Sequence, residues 1–132
     1  MPSVISALLI FKSTWMKTEL KQFEIWSANL NHGKGSEPGK IRPVVIVQSN
    51  MLNKFDHGSV IICPISSQNR PGLRLLRLPI TPDADNGLEK ESYLLADQIL
   101  AIDVSRILEK IGKLEKQIAQ DLMESIKVII GA

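Results

Sequence analysis

Four β-branched residues in a row, at positions 44–47, follow a proline in the stretch 41–48. A short run of this kind, bounded by polar residues, is typical of a strand that is buried on both faces. Arg42 stands at the start of this strand, directly after a loop at 31–40 that holds three glycines and one proline. Loops of that composition often carry function when a scaffold positions them. We therefore expect Arg42, where the loop meets the strand, to bind an anion.

Alternating apolar positions at 23–30 predict a first strand with both faces partly covered. One face is expected to hold Trp26, Ala28 and Leu30, and the other Phe23 and Ile25. Further along the chain, the pattern predicts a short helical turn at 51–55 and extended segments at 59–65, 73–80 and 91–102. The chain is therefore expected to consist mainly of short strands.

Two of the extended segments carry polar groups inside an apolar pattern. In the second segment, Arg74 and Arg77 alternate with leucines, so this basic side is expected to face solvent or a bound backbone. In the third, Asp97 and Gln98 interrupt the apolar residues. Because buried polar side chains need hydrogen-bond partners, we expect this pair to support a site or a dimer interface.

The clearest single element is a C-terminal helix. Apolar residues recur there at four-residue spacing, with Met123 and Ile129 beside them: Leu114, Ile118, Leu122, Ile126 and Ile130. This pattern predicts an amphipathic helix that packs on a sheet. Gly112 argues against one continuous helix that would begin at Val104. Several short strands and one terminal helix predict a small, strongly bent β-sheet or partly open barrel, with a two-layer α+β sandwich as the alternative.

Length and composition predict one domain of ordinary character. The chain has 132 residues, of which 44% are hydrophobic and 23% are charged, as in a soluble globular protein. Its one cysteine, Cys63, lies in an apolar run, which excludes an internal disulfide, favours a buried thiol and fits a reducing compartment. Residues 4–11 are apolar but too few to cross a bilayer, and no basic stretch precedes them. Neither a membrane span nor a signal peptide is expected.

The charge is uneven along the chain. The net charge is +2, but residues 31–80 carry seven basic side chains against two acidic ones, a local charge of +5. Such asymmetry suggests a polyanionic partner for this segment, although a solvated basic surface has the same composition.

Several chemistries lack the residues that they need. His32 and His57 have no cysteine or carboxylate partners at ligand spacing, so no metal or other cofactor is predicted. The stretch 33–36 lacks the spacing of a phosphate-binding loop, and no serine lies in a nucleophile elbow. A charged and hydroxylic set remains: Lys34, Ser36, Glu37, Arg42, Ser66, Ser67 and Gln68.

Two members of this set are expected to meet. If the predicted strands at 41–48 and 59–65 pair antiparallel, the start of one lies next to the end of the other. Arg42 opens the first strand and Ser66 directly follows the second. Both side chains would then lie at the same edge of the sheet.

Four short motifs follow one another along the chain: KGSE at 34–37, RPVVIV at 42–47, CPISSQ at 63–68 and LADQI at 95–99. In this order and spacing they resemble the MazF/PemK family of toxin endoribonucleases, over about residues 23 to 131. On this resemblance, residues 21–132 form a single MazF/PemK-like toxin domain, and residues 1–20 form an N-terminal extension of uncertain role.

The resemblance implies a mainly β fold with a C-terminal α-helix, built as a small SH3-like β-barrel of the MazF/CcdB type. It implies a cytoplasmic homodimer that cleaves single-stranded RNA, including mRNA, at a short sequence, without metal and with the ribose 2′-hydroxyl as nucleophile. The implied partner is a cognate antitoxin whose acidic disordered segment occupies the RNA groove, in a type II toxin–antitoxin system. DNA would be contacted only through the antitoxin complex, and no membrane is involved.

The resemblance also implies roles for individual residues. Arg42 matches the catalytic arginine of the family, and Ser66 stands where the family has a catalytic threonine. Both suit metal-free chemistry, because a guanidinium can bind a phosphate through two hydrogen bonds and a hydroxyl can donate one. Glu37 is the candidate for proton abstraction or for orienting Arg42, since arginine stays protonated. Substrate contacts are expected from Lys34, Ser36, Ser67, Gln68, Arg70 and Arg74.

Other interpretations stay open from the sequence. A non-catalytic toxin of the same fold would bind a protein target such as DNA gyrase, and the serine at position 66 suggests a catalytically weakened paralogue. Simpler roles also exist, because Arg42 could form a structural ion pair, Ser66 could cap a turn and the basic side chains could be solvated. The presence of both Arg42 and a hydroxyl at position 66 favours the nuclease.

Overall fold

The computed structural model of the protein describes residues 19–30, 40–55, 58–68 and 76–132. Within these ranges the chain forms seven strands, β1 (Glu24–Asn29), β2 (Ile41–Ile46), β3 (Ser59–Ser66), β4 (Arg77–Ile80), β5 (Ser92–Leu95), β6 (Leu100–Asp103) and β7 (Ile107–Lys113). It also forms a short helix α1 (Asn50–Asn53) and a C-terminal helix α2 (Lys116–Ile130). Two 3-10 turns, Ala96–Gln98 and Val104–Arg106, flank β6. The predicted mainly β architecture with a C-terminal helix is confirmed.

The described strands pair antiparallel in the order β4-β5-β3-β2-β1-β7, and β6 pairs with β3 outside this path. Strand β3 is shared, because residues 59–62 pair with β6 whereas Ile65 and Ser66 pair with β5. The sheet therefore divides along β3. The outermost strands of the path, β4 and β7, do not pair with each other, so the barrel is open.

Two hydrophobic cores lie on the two faces of the sheet. The helix-side core contains Ile25, Val45, Val47, Cys63, Ile65, Ile80, Leu94, Ala96, Leu114, Ala119, Leu122 and Ile126. The far-side core contains Leu20, Trp26, Ala28, Val44, Ile46, Val60, Ile62 and Ile102. Successive residues of β2 alternate between the cores because neighbouring side chains of a strand point to opposite faces. The predicted burial of this strand on both faces is confirmed, and so is the predicted division of β1 between two faces.

Helix α2 packs on the helix-side core through a shorter stripe than the sequence predicts. Ala119, Leu122 and Ile126 are buried, whereas Ile130 is 65% exposed. The expectation that Ile130 packs on the sheet is therefore wrong. A helix has 3.6 residues per turn, so each four-residue step rotates the side chain by about 40°, and the last member of the repeat turns away from the sheet. Gly131 ends the helix in the left-handed conformation with φ of 78°.

No continuous helix runs from Val104 to the C-terminus, as Gly112 led us to expect. Gly112 lies within β7, so the residues before it form a strand. The chain at 83–88 crosses this strand so closely that a Cβ atom on Gly112 would lie 2.6 Å from the carbonyl carbon of Asn86. Next to this crossing, the backbone N–H of Lys113 donates a hydrogen bond to the carbonyl oxygen of Asp85 at 3.0 Å. Position 112 requires glycine because two backbones meet there without room for a side chain.

Glu24 joins β1 to β7 through its carboxylate. Its Oε2 lies 2.7 Å from Nζ of Lys110, and its Oε1 accepts hydrogen bonds from the Lys21 backbone N–H at 2.9 Å and the Trp26 indole N–H at 3.1 Å. Burial raises the pKa of Glu24, but the hydrogen bonds from Lys110, Lys21 and Trp26 outweigh burial and hold the pKa below its usual value. The ionised carboxylate is therefore bound more strongly in the folded chain than in the unfolded chain.

We expect Glu24→Gln to lower the free energy of unfolding by about 1–2 kcal/mol at pH 7, because it removes charge-assisted hydrogen bonds. A lowered folded-state pKa means that the carboxylate stabilises the fold above its unfolded-state pKa, and that this contribution is lost as the pH falls through the folded-state value. Urea unfolding of both proteins between pH 7 and about pH 3 measures the difference. The exposed neighbour Glu109→Gln is the control, and a difference that persists undiminished at low pH would contradict this account.

Candidate functional site

Arg42 and Ser66 lie at the same edge of the sheet, which we call the site edge. Strands β2 and β3 are antiparallel neighbours in which Val44 pairs with Pro64. The same register, continued by two residues along both strands, sets Arg42 opposite Ser66. By the alternation of side chains along a strand, both belong to the face on which Val44 and Ile62 pack in the far-side core. The antiparallel pairing on which that expectation depends is therefore present, and a contact between the two side chains stays a prediction.

Ser66 is nearly enclosed, with 7% of its surface exposed. Its Oγ accepts a hydrogen bond from the backbone N–H of Gln68 at 3.1 Å. This bond occupies a lone pair and leaves the hydroxyl proton to donate elsewhere. It is also the bond of a serine that stabilises a turn. The hydroxyl is thus held in place by the turn and keeps a donor that suits an anion.

Arg42 is the second residue of β2 and is half-buried. Among the residues that the structure describes, no carboxylate forms an ion pair with it. Its guanidinium offers five N–H donors in a planar fork. The simpler interpretation, a structural ion pair at a strand end, finds no partner within those residues.

A cavity of about 420 Å³ opens at the site edge. Its walls are formed by Lys40, Ile41, Arg42, Pro43, Ile65, Ser67, Gln68, Lys90 and Ser92. Three of these residues are basic and none is acidic, so positive charge is concentrated around the cavity. Two of the predicted substrate-binding residues, Ser67 and Gln68, therefore lie beside Arg42 around one opening.

Lys90 and Ser92 line this cavity although the sequence pattern does not single them out. They reach the site edge because β5 pairs with the end of β3, with Tyr93 opposite Ser66. Periodicity along a chain predicts that a segment is a strand, but it does not say which strands are neighbours. The available signal is a lysine directly before a predicted extended segment.

Five of the predicted site residues lie outside the residues that the structure describes. Lys34, Ser36 and Glu37 fall within 31–39, and Arg70 and Arg74 fall within 69–75. The first stretch connects β1 to β2 and the second connects β3 to β4. Both connections start or end next to Arg42 or Ser66. The roles of these five residues stay predictions.

Arg77 and the pair Asp97 and Gln98 differ from the sequence expectation. Arg77 is 8% exposed, its guanidinium lies 4.0 Å from the Asp97 carboxylate, and its Nε has no hydrogen-bond partner among the described residues. It pairs with Leu95, and the 3-10 turn after Leu95 brings Asp97 next to it, so Arg77 does not face solvent. Asp97 and Gln98 are exposed on that turn rather than buried in a strand, because the turn separates β5 from β6.

The lone cysteine is not a nucleophile. Cys63 is fully buried in the helix-side core, and burial raises the pKa of its thiol to about 12. The sulfur therefore stays protonated at neutral pH, which confirms the expectation of a small buried hydrophobe. In the part of the chain that the structure describes, no three His, Cys, Asp or Glu side chains are grouped as metal ligands. The described helices are also too short or too polar to span a bilayer.

The sequence matches a known protein family over most of its length. The family model described as "PemK-like, MazF-like toxin of type II toxin-antitoxin system" covers residues 21–130. Among curated proteins, Endoribonuclease EndoA from Bacillus subtilis strain 168 is 29% identical over 115 residues, which are 85% of this chain and 95% of that protein.

Solved structures of a toxin and of an endoribonuclease have a similar fold. The Mycobacterium tuberculosis toxin MazF-mt6 has a TM-score of 0.66 and 26% sequence identity, over 82% of this chain and 96% of that chain. A mycobacterial endoribonuclease in complex with its cognate antitoxin has a TM-score of 0.67 at 15% identity, over 85% of this chain and 95% of that chain. The small barrel of the MazF type predicted from the motifs is thus the observed fold.

Proposed function

We propose that this chain, which belongs to the PemK-like, MazF-like toxins of type II toxin–antitoxin systems, is an endoribonuclease that cleaves single-stranded RNA at a short sequence without a metal ion. The observation that carries the proposal is the position of Arg42 and Ser66 on one face of the site edge. The name of the relative EndoA, an endoribonuclease, supports the same activity. Such a toxin would act in the cytoplasm, where mRNA is its substrate.

The proposed reaction uses the substrate's own ribose. The 2′-hydroxyl gives up its proton and its oxygen attacks the adjacent phosphorus as the bond to the 5′-oxygen breaks. The leaving 5′-oxygen takes up a proton from water, so the products are a 2′,3′-cyclic phosphate and a 5′-hydroxyl. Negative charge grows on the non-bridging phosphate oxygens during this step, so the main task of the protein is to orient the phosphate and stabilise that charge. Arg42 binds these oxygens through two parallel hydrogen bonds. The hydroxyl group of Ser66 donates a hydrogen bond to one of these phosphate oxygens.

Proton transfer needs a further group, because a guanidinium does not give up its proton near neutral pH. Glu37 is our candidate for accepting the proton of the 2′-hydroxyl or for orienting Arg42. Its place in the chain, five residues before Arg42, supports this role.

Substrate binding is assigned to groups around the same edge. Lys40 and Lys90 surround the cavity beside Arg42, and cations in such positions attract a phosphate backbone. We propose the same role for the predicted set Lys34, Ser36, Ser67, Gln68, Arg70 and Arg74.

The proposed partners follow from the family. A cognate antitoxin would occupy the basic groove with an acidic disordered segment, since a polyanion in that groove imitates RNA. The complex of a related mycobacterial endoribonuclease with its antitoxin supports this assignment. We further propose that residues 21–132 form the toxin domain of a homodimer, that residues 1–20 extend it, and that DNA is contacted only through the antitoxin complex.

Arg42→Ala should lower the rate of RNA cleavage by about 100- to 1,000-fold, the range for removing a group that stabilises developing negative charge. Arg42→Lys should recover only part of the loss, because lysine keeps the charge but not the planar fork. The assay is a long mixed-sequence RNA incubated with purified protein in EDTA, with cut sites and terminal phosphates mapped. The control is Arg106→Ala, whose turn follows β6 at the opposite end of β3.

Two results of this assay would contradict the proposal. Full cleavage by Arg42→Ala would reject the assigned role of the arginine. RNA left intact by the unmodified protein would reject the nuclease and favour a toxin that binds a protein target such as gyrase.

Ser66→Ala should lower cleavage by about 10- to 100-fold, as expected for the loss of a hydrogen bond to a charged group. Ser66→Thr should cleave at least as fast as the unmodified protein, because threonine keeps the hydroxyl and its methyl group restricts the rotamer. Thermal unfolding of each variant separates an effect on the turn from an effect on chemistry. If Ser66→Ala cleaved normally, Ser66 would act as a turn residue alone.

A further inference from the structure

Tyr93 is the one tyrosine of the chain, and it lies on β5 beside the residues assigned to catalysis. It pairs with Ser66 on β3 and with Pro79 on β4. Residues directly opposite each other in antiparallel strands project from the same face. The next residue along β5, Leu94, packs in the helix-side core, so Tyr93 projects from the other face. Arg42, Ser66 and Tyr93 therefore form one row across three neighbouring strands.

The spacing of this row suits one nucleotide and its phosphate. Neighbouring strands lie about 4.7–4.9 Å apart, so the backbone of Tyr93 is one strand from Ser66 and two strands from Arg42. If a phosphate binds between Arg42 and Ser66, the base of the same nucleotide lies within reach of a tyrosine ring on the adjacent strand. Pro79, the next member of the row, is exposed and extends the apolar surface.

Packing among the residues that the structure describes does not account for this ring. Tyr93 belongs to neither hydrophobic core and is partly exposed, although its neighbours Leu94 and Leu95 are buried. A large aromatic side chain left partly in water at a site edge is typical of recognition surfaces. Aromatic rings bind unpaired bases by stacking. Stacking is possible with any of the four bases because each has a π face.

We propose that Tyr93 is the stacking surface for the RNA base next to the phosphate that is cleaved. The proposal rests on the nuclease activity proposed above and adds a substrate-binding residue to it. The ring holds the flanking nucleotide, and through it the phosphate, in line with Arg42 and Ser66. Removal of the ring therefore weakens binding and misaligns the bond that is cut.

The first experiment compares variants on a short RNA that carries the cut site mapped with the unmodified protein. Tyr93→Leu, which keeps an apolar side chain, should lower kcat/KM by about 10- to 100-fold, the effect of losing one base–aromatic stack. Tyr93→Phe keeps the ring and should recover most of that loss. Val128→Ala, at an exposed position of α2 on the other side of the sheet, is the control, and thermal unfolding verifies that each variant folds.

The same assay is repeated with two RNAs, each of which lacks one base. In one RNA the missing base directly precedes the cut, and in the other it directly follows the cut. Loss of the stacked base should slow the unmodified protein by about as much as Tyr93→Leu does, and it should leave Tyr93→Leu unaffected. A role in strand packing alone would instead slow every RNA equally, with or without the base. That result, or normal kcat/KM for Tyr93→Leu, would overturn the proposal.

A second measurement needs no variant. Protein labelled with 3-fluorotyrosine gives a single fluorine resonance, because Tyr93 is the one tyrosine. Added 2′-O-methyl RNA of the cut sequence, which has no 2′-hydroxyl to attack, should shift this resonance, and RNA without the flanking base should shift it much less. Binding measured by fluorescence anisotropy with an unmoved resonance would overturn the role of Tyr93. If the unmodified protein neither bound nor cleaved RNA, the proposed function itself would fail.

Discussion

Burial of β2 on both faces is the constraint on which the rest of the fold depends. Val44 and Ile46 point into one core, and Val45 and Val47 point into the other. A slip of one residue in the pairing of β2 would exchange these two sets and disrupt both cores together. The register with β3 is therefore strongly specified. The position of Arg42 at the end of β2 follows from this register.

The two faces of the sheet contribute differently to the site edge. Arg42, Ser66 and Tyr93 belong to the far-side row, whereas Ile65 and Ser92, which also line the cavity, belong to the helix-side face by the alternation along their strands. Arg42 is common to both, since it also forms part of the cavity wall. A strand end can serve both faces because its last side chains extend past the packed core. An extended RNA chain that passes over the edge would meet basic groups on either side of the arginine.

Much of this arrangement can be predicted from sequence because it is local. The alternation in β1 predicts the faces of Trp26 and Ile25, and the apolar run in β2 predicts double burial. The expectation that Arg42 and Ser66 meet needs only that two consecutive strands pair antiparallel. The four motifs, in their order and spacing, also predict the family, and the family predicts a small barrel.

The features that sequence reasoning misses depend on non-local pairing. The pairing of β5 with the end of β3 brings Lys90 and Tyr93 to the site edge across a separation of 27 residues between Ser66 and Tyr93. Arg77 alternates with leucines like a surface residue, yet the turn after β5 covers it. Ile130 fits a four-residue repeat, but the helix rotates it away. In each case the local pattern describes the segment correctly, but the elements packed against the residue determine its exposure and its position.

The alternation along β5 also separates what must be conserved for folding from what is free to change. Leu94 packs in the helix-side core and Ser92 lies on the same face of β5, while Tyr93 between them belongs to neither core among the described residues. A substitution at position 93 can therefore alter the surface offered to RNA and leave the packing of its neighbours intact. A scaffold of this kind lets the surface beside Arg42 and Ser66 change through single replacements, while the barrel and the positions of these two residues stay the same.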